Sequence, residues 1–144
     1  MAYATQTDLT RIGLPSNALL TLDAEQIAAA LQNASDRADA YLRARYGNTS
    51  VPLAKWDSTI TEAVSKIAAY ELMNLRGHKP GGPDWELWRS RQQEALEYLG
   101  QIQRQQAHPL VTLAGGAQAP QQPNLTSTSV VDLSSGATSP TRGW

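Results

Sequence analysis

Between Asp23 and Ile102 the apolar residues recur every three or four positions in three separate runs, the period of amphipathic helices. In the first run Asp23 is placed to cap a helix over Ala24 to Arg45, with Ile27, Leu31, Ala34, Ala38, Tyr41, Leu42 and Arg45 in rhythm and Gly47 as its stop. Its stripe is mostly alanine toward the middle, so a neighbouring helix can approach closely there. The second run begins after Trp56, with Asp57 or Ser58 as cap, and places Ile60, Val64, Ile67, Ala68, Glu71, Leu72 and Leu75 inward. Gly77 supplies a left-handed end. In the third, Asp84 opens a helix carrying Trp85, Trp88, Ala95, Leu96, Leu99 and Ile102, and Pro109 closes the segment. A short helix from Asp8 to about Ile12, capped by Thr7, precedes them and is broken by Gly13 and Pro15. The pattern predicts an all-α fold: a small bundle of three long helices plus a short N-terminal helix, forming one domain over residues 1–106.

After residue 106 the helical period stops. Residues 107–144 hold one acid, Asp132, one permanent base, Arg142, and prolines at 109, 120, 123 and 140. So little charge and so few large apolar groups cannot build a core, and the segment is expected to be an extended C-terminal arm ordered against other subunits. From Thr126 to Leu133, Val130, Val131 and Leu133 lie among serines and threonines. That composition favours a strand which, having no partner within the chain, would add to the sheet edge of another protein. With Leu125 and the isolated Trp144, these residues form the expected partner-binding set of the arm.

Composition narrows the function. The chain has 144 residues, a formal net charge of −1 and no cysteine. A near-neutral chain has no global attraction to nucleic acid or to an anionic membrane, and zero cysteines exclude disulfides, thiolate metal sites and thiol nucleophiles. No stretch approaches the roughly 18 apolar residues of a membrane span, and Met1 to Gln6 lacks the basic start and apolar run of a secretory leader, so synthesis in a cytoplasm is expected. His78 and His108 are too far apart in sequence for a helical metal pair. Asp36 and Asp39 share a helix with Arg37, Arg43 and Arg45, which reads as a solvated charged face rather than a carboxylate pair for catalysis. Gly81-Gly82 and Gly115-Gly116 lack the Lys-Ser/Thr of a phosphate loop. No catalytic residue, metal ligand or cofactor is expected.

Two features bear on partners. Trp56, Trp85 and Trp88 sit near helix starts in a chain without phenylalanine, as core or half-buried packing or as anchors between subunits. Arg37, Arg43 and Arg45, near the C-terminal end of the first long helix, complement its dipole and are also candidates for a subunit interface or a DNA-facing channel. A DNA-binding helix-turn-helix regulator is the rival for three helices. Against it stand long helices, connectors of seven or more residues, and no helix with a basic N-terminal half.

The opening Tyr3-Ala4-Thr5-Gln6-Thr7-Asp8-Leu9-Thr10-Arg11, the segment Ala38-Asp39-Ala40-Tyr41-Leu42-Arg43-Ala44-Arg45-Tyr46 followed by Val51-Pro52-Leu53, and Ile67-Ala68-Ala69-Tyr70-Glu71-Leu72 resemble the phage Mu-like head-to-tail connector family. The likeness continues through Ala95-Leu96-Glu97-Tyr98-Leu99-Gly100-Gln101-Ile102, about the first hundred residues. The resemblance implies a structural adaptor of the virion neck, made in the host cytoplasm. Copies would form a ring, twelvefold in such adaptors, beneath the portal protein, with the next neck or tail protein below. Genomic DNA would pass through the channel without sequence-specific binding, and no membrane would be involved. It places the portal-docking role on residues 109–144. A tail terminator or stopper ring is the neighbouring alternative. The chain departs from the family pattern in Asn48-Thr49-Ser50, inserted before the Pro-Leu, and in the length and polarity of the arm.

Overall fold

A computed structural model of the chain describes residues 2–77 and 81–120. Among the described residues there are five α-helices and no strand: α1 (Gln6–Arg11), α2 (Ser16–Leu20), α3 (Ala24–Tyr46), α4 (Ser58–Leu75) and α5 (Pro83–Gln103). The all-α expectation holds. α3, α4 and α5 pack on one another as an antiparallel bundle. Side-chain links fix the directions: Asn33 in the first half of α3 bonds Glu71 near the end of α4, Asp39 further along α3 meets Tyr3, which also bonds Thr61 early in α4, and Thr59 at the start of α4 meets Tyr98 near the end of α5.

The long helices form where the period places them because their ends are chemically marked. In α3, Gln26 Oε1 accepts the Asp23 N–H at 3.1 Å, the return half of a capping box, and Gly47 at φ 100° leaves the helix through a backbone region closed to other residues. Asp57 Oδ1 accepts the N–H groups of Thr59 and Ile60 at the start of α4. The core unites Ile27, Leu31, Ala34, Ala38 and Leu42 of α3, Ile60, Val64, Ile67, Ala68 and Leu72 of α4, and Trp88, Ala95, Leu99 and Ile102 of α5. The alanines in the middle of α3 are fully buried, as expected for a close helix approach.

Several boundaries differ from the sequence reading. α1 starts at Gln6, capped by Thr5 rather than Thr7, because Asp8 reaches back to the Thr5 N–H at 2.7 Å and to its hydroxyl at 2.8 Å. α2 was not anticipated; Pro15 bounds it and Ala18 and Leu19 bury it. α5 begins one residue early, at Pro83, where a proline gives up only an N–H that no carbonyl needed. It ends at Gln103, well before Pro109, with Gln105 in the left-handed region at φ 63°. In α4, Leu75 is exposed and Met73 takes the inward position.

The largest difference is at residues 107–120, the start of the expected arm, which fold back onto the connector between α3 and α4. Thr112 pairs antiparallel with Lys55, its N–H donating to the Lys55 carbonyl at 2.9 Å and its own carbonyl accepting from Ala54 at 2.9 Å. Ala114 N–H reaches the Ser50 carbonyl at 3.0 Å, and Leu113 and Ala117 close a turn that brings Ala119 N–H to Val111. Pro109, Val111 and Ala119 are buried. Apolar residues two apart in an extended segment point to one face, and that face covers the open end of the bundle. The segment therefore has a partner within the chain, contrary to the reading that everything past the third long helix is shaped only by other subunits.

Candidate functional site

A dense network of long-range side-chain hydrogen bonds lies where the N-terminus, the 47–57 connector and the 107–120 segment meet. Tyr3 is the hub. It is 1% exposed, and its ring stands edge-on to Trp56 with centroids 4.8 Å apart. Its backbone N–H donates to Ser35 Oγ at 2.9 Å, and its carbonyl accepts from Trp56 Nε1 at 3.0 Å and Thr61 Oγ1 at 3.1 Å. Its hydroxyl accepts the Leu53 N–H at 3.0 Å and donates to Asp39. One residue thus ties α3, the connector and α4 together. Burial, and then the hydrogen bond to Asp39, hold the Tyr3 phenol proton far above the ordinary tyrosine range. Burial likewise raises the Asp39 carboxyl, against the opposing effects of Tyr3 and Arg43.

Asp39 is therefore not part of a purely solvated face: it is half-buried and bonded to Tyr3, while Asp36 remains exposed. The signal for Tyr3 was present in the sequence only as an aromatic residue two positions before the capping box at Thr5. Nothing local shows that it would bridge to residues 35, 39 and 53. Asp57 is the second residue whose full role is visible only in space. Besides capping α4 with one oxygen, it accepts the Leu110 N–H with the other at 2.9 Å and so fastens the 107–120 segment.

The three arginines singled out from sequence do not form one patch. At 3.6 residues per turn, Arg43 and Arg45 are roughly 160° apart around α3. Arg37 and Arg43 are exposed; Arg37 lines a shallow groove with Tyr70 and Glu71, and Arg43 acts electrostatically on Asp39. Arg45 is half-buried, its guanidinium 5.3 Å from the centroid of the Tyr46 ring. Of the tryptophans, Trp88 is buried in the core, Trp56 is half-buried in the Tyr3 hub, and Trp85 is half-buried against Tyr70 with Arg89 over its ring. Leu125, Val130, Val131, Leu133 and Trp144 of the expected arm lie outside the described residues, as does His78.

Along the outer side of α4 runs a second groove, between α1 and α5, with Lys66 at its centre. The lysine Nζ is 2.8 Å from Glu62 and 3.4 Å from Glu94, and its pKa is raised first by the bond to Glu62. Among the described residues no cluster of three or more His, Asp or Glu side chains could hold a metal ion, and no helix is long and apolar enough to cross a membrane.

No curated protein matches the chain. A family model described as Bacteriophage Mu, Gp36 matches residues 3–130, from the Tyr3 hub through all five helices and the returning segment. An alignment running over so much of the chain settles its family: this protein belongs to the Bacteriophage Mu Gp36 family.

Proposed function

We propose that this phage structural protein is a head-to-tail connector, an adaptor subunit of the virion neck. The reading rests on the family match over residues 3–130, together with the chain's resemblance to such adaptors. Copies of the helical unit form a ring, twelvefold in keeping with related adaptors, beneath the portal protein and around the channel through which DNA leaves. The next neck or tail protein attaches below. No catalytic step, cofactor or membrane contact belongs to this role.

The way residues 107–120 are fastened favours it. A polypeptide arm that holds a partner must pass its load to a folded unit. Here the chain leaving α5 is clamped to the connector by four backbone hydrogen bonds at Thr112 and Ala114 and a fifth from the Leu110 N–H to Asp57, with Val111 buried beneath. Sequence beyond Pro120 thus departs from an anchored point. On this reading Leu125, Val130, Val131, Leu133 and Trp144 dock on the portal, the valines by adding a strand to an exposed sheet edge. Arg37 and Arg43, exposed on α3, face a neighbouring subunit or the channel.

The test is truncation after Gln122. The shortened chain is expected to keep its helical circular dichroism and to lose binding to isolated portal rings, as seen by electron microscopy of the mixture. Normal docking of the truncated chain would remove the arm from the mechanism.

A further inference from the structure

α5 ends in a hydrogen-bond pattern suited to glycine. The Gln105 N–H donates to the Ile102 carbonyl at 3.1 Å and the Gln106 N–H to the Gln101 carbonyl at 2.8 Å, the paired bonds of a helix that closes on a left-handed residue. That residue is Gln105, at φ 63°, the one non-glycine among the described residues with a positive φ. A residue with a Cβ is strained there, as glycine is not. The strain sits where the chain leaves the bundle and turns back, so it belongs to the folded-back placement of residues 107–120 and not to the helices.

Beyond this hinge the segment is fastened to groups that a second copy offers equally. Its backbone bonds to the bundle side run to Ser50, Ala54 and Lys55, and its Leu110 N–H to Asp57, all in the 47–57 connector. The surface is seen filled by residues 107–120, so what fits it is known residue by residue, and an identical chain brings the same residues. The hinge is long enough to deliver them. Residues 104–109, drawn out fully, reach about 20 Å, whereas a helix with its side chains is only about 10 Å thick.

We propose that residues 107–120 exchange between copies, each segment pairing with the Lys55 backbone of the other chain and covering the other chain's connector. Every bond to the connector is then made again between chains, and the strain at Gln105 is relieved as the hinge extends. The bonds given up, from Gln105, Gln106 and Ala107 to the end of α5, lie at exposed or half-buried residues where water replaces them. What remains is the cost of bringing two copies together, which concentration or close packing in an assembly offsets. The exchange stands apart from the connector reading, and its test uses the chain alone.

The directly paired Lys55 and Thr112 supply the readout, because a hydrogen-bonded antiparallel pair sets its Cα atoms about 5.5 Å apart, within disulfide range. The chain has no cysteine, so Lys55→Cys/Thr112→Cys carries just these two thiols. The full-length variant is refolded from urea at about 1 µM and at about 1 mM, its mass is measured reduced by sedimentation equilibrium, and it is then oxidised. A monomer linked within itself is expected at the lower concentration. At the higher, a dimer is expected that a 55–112 disulfide, identified by mass spectrometry, holds together on a denaturing gel. Gln105→Pro, which forbids φ 63°, should form the dimer at a concentration lower by roughly tenfold or more, and Gln105→Gly, which removes the strain, should need a comparably higher one. Far-UV circular dichroism should not change, since position 105 follows the last helix. A monomer at both concentrations overturns the proposal. So does a dimer whose 55–112 links lie within each chain, or a dimer population that neither hinge variant moves.

Discussion

Replacing Tyr3 by phenylalanine removes one oxygen from the hub and leaves the ring in place against Trp56, so the change isolates the hydroxyl. Two groups lose a partner. The Leu53 N–H lies in a residue only 1% exposed and, with the hydroxyl gone, has no acceptor, which costs about 1–3 kcal/mol. Asp39 loses a hydrogen bond to a carboxylate, worth about 1.5–3 kcal/mol when fully sheltered; because Asp39 is only half-buried, water replaces part of it and the lower end applies. The expected loss is roughly 2–4 kcal/mol, or a midpoint lower by about 8–15 °C for a chain of this size. Urea unfolding followed by far-UV circular dichroism measures it, with the slope against denaturant unchanged because the same surface is exposed on unfolding. A double-mutant cycle with Asp39→Ala should return a coupling of about 1–3 kcal/mol. If Tyr3→Phe unfolds within about 0.5 kcal/mol of wild type and the cycle shows no coupling, Tyr3 is not the tie between α3 and the connector.

Three further outcomes follow from named groups. Asp57→Ala should lose about 1 kcal/mol as the α4 cap disappears, and its hydrogen exchange should quicken at Val111 and Thr112 as well as at Thr59 and Ile60; exchange confined to the start of α4 would mean that Asp57 does not hold the returning segment. Gly47→Ala should destabilise by about 1–3 kcal/mol in the same unfolding assay although nothing lies within 4 Å of the new methyl, because the strain is in the backbone at φ 100°; a neutral result would contradict that. Tyr3, Tyr46 and Tyr98 all have phenol pKa values raised by burial, so the folded chain holds these protons more tightly than the unfolded one. Stability from this source is complete below about pH 10, the unfolded tyrosine value, and falls as pH rises toward the folded values. Ultraviolet phenolate absorbance should show three late-titrating tyrosines, one fewer in Tyr3→Phe, and a set that titrates together in the ordinary range would refute the assignment.

The three long helices were legible because a helix is a local object: the stripe from Ile27 to Leu42, the cap at Asp57 and the glycine stops at 47 and 77 each act within a few residues. The same locality let the order of short segments indicate the family before the fold was in hand. What only the tertiary structure decided is long-range. Tyr3 looks like an unremarkable start to the chain until residues 35, 39, 53, 56 and 61 are brought around it, and Asp39 looks like a solvent charge until Tyr3 bonds it. Residues 107–120 look too polar to fold because the sequence shows only their composition. Their backbone groups are satisfied by Ser50, Lys55 and Asp57, half a chain away, and three small or mid-sized apolar side chains suffice to seal an end that the helices leave open. Leu75 shows the converse: it keeps the helical rhythm of α4 yet is 55% exposed, because rhythm marks a face of the helix and only the packing decides how far along that face burial extends.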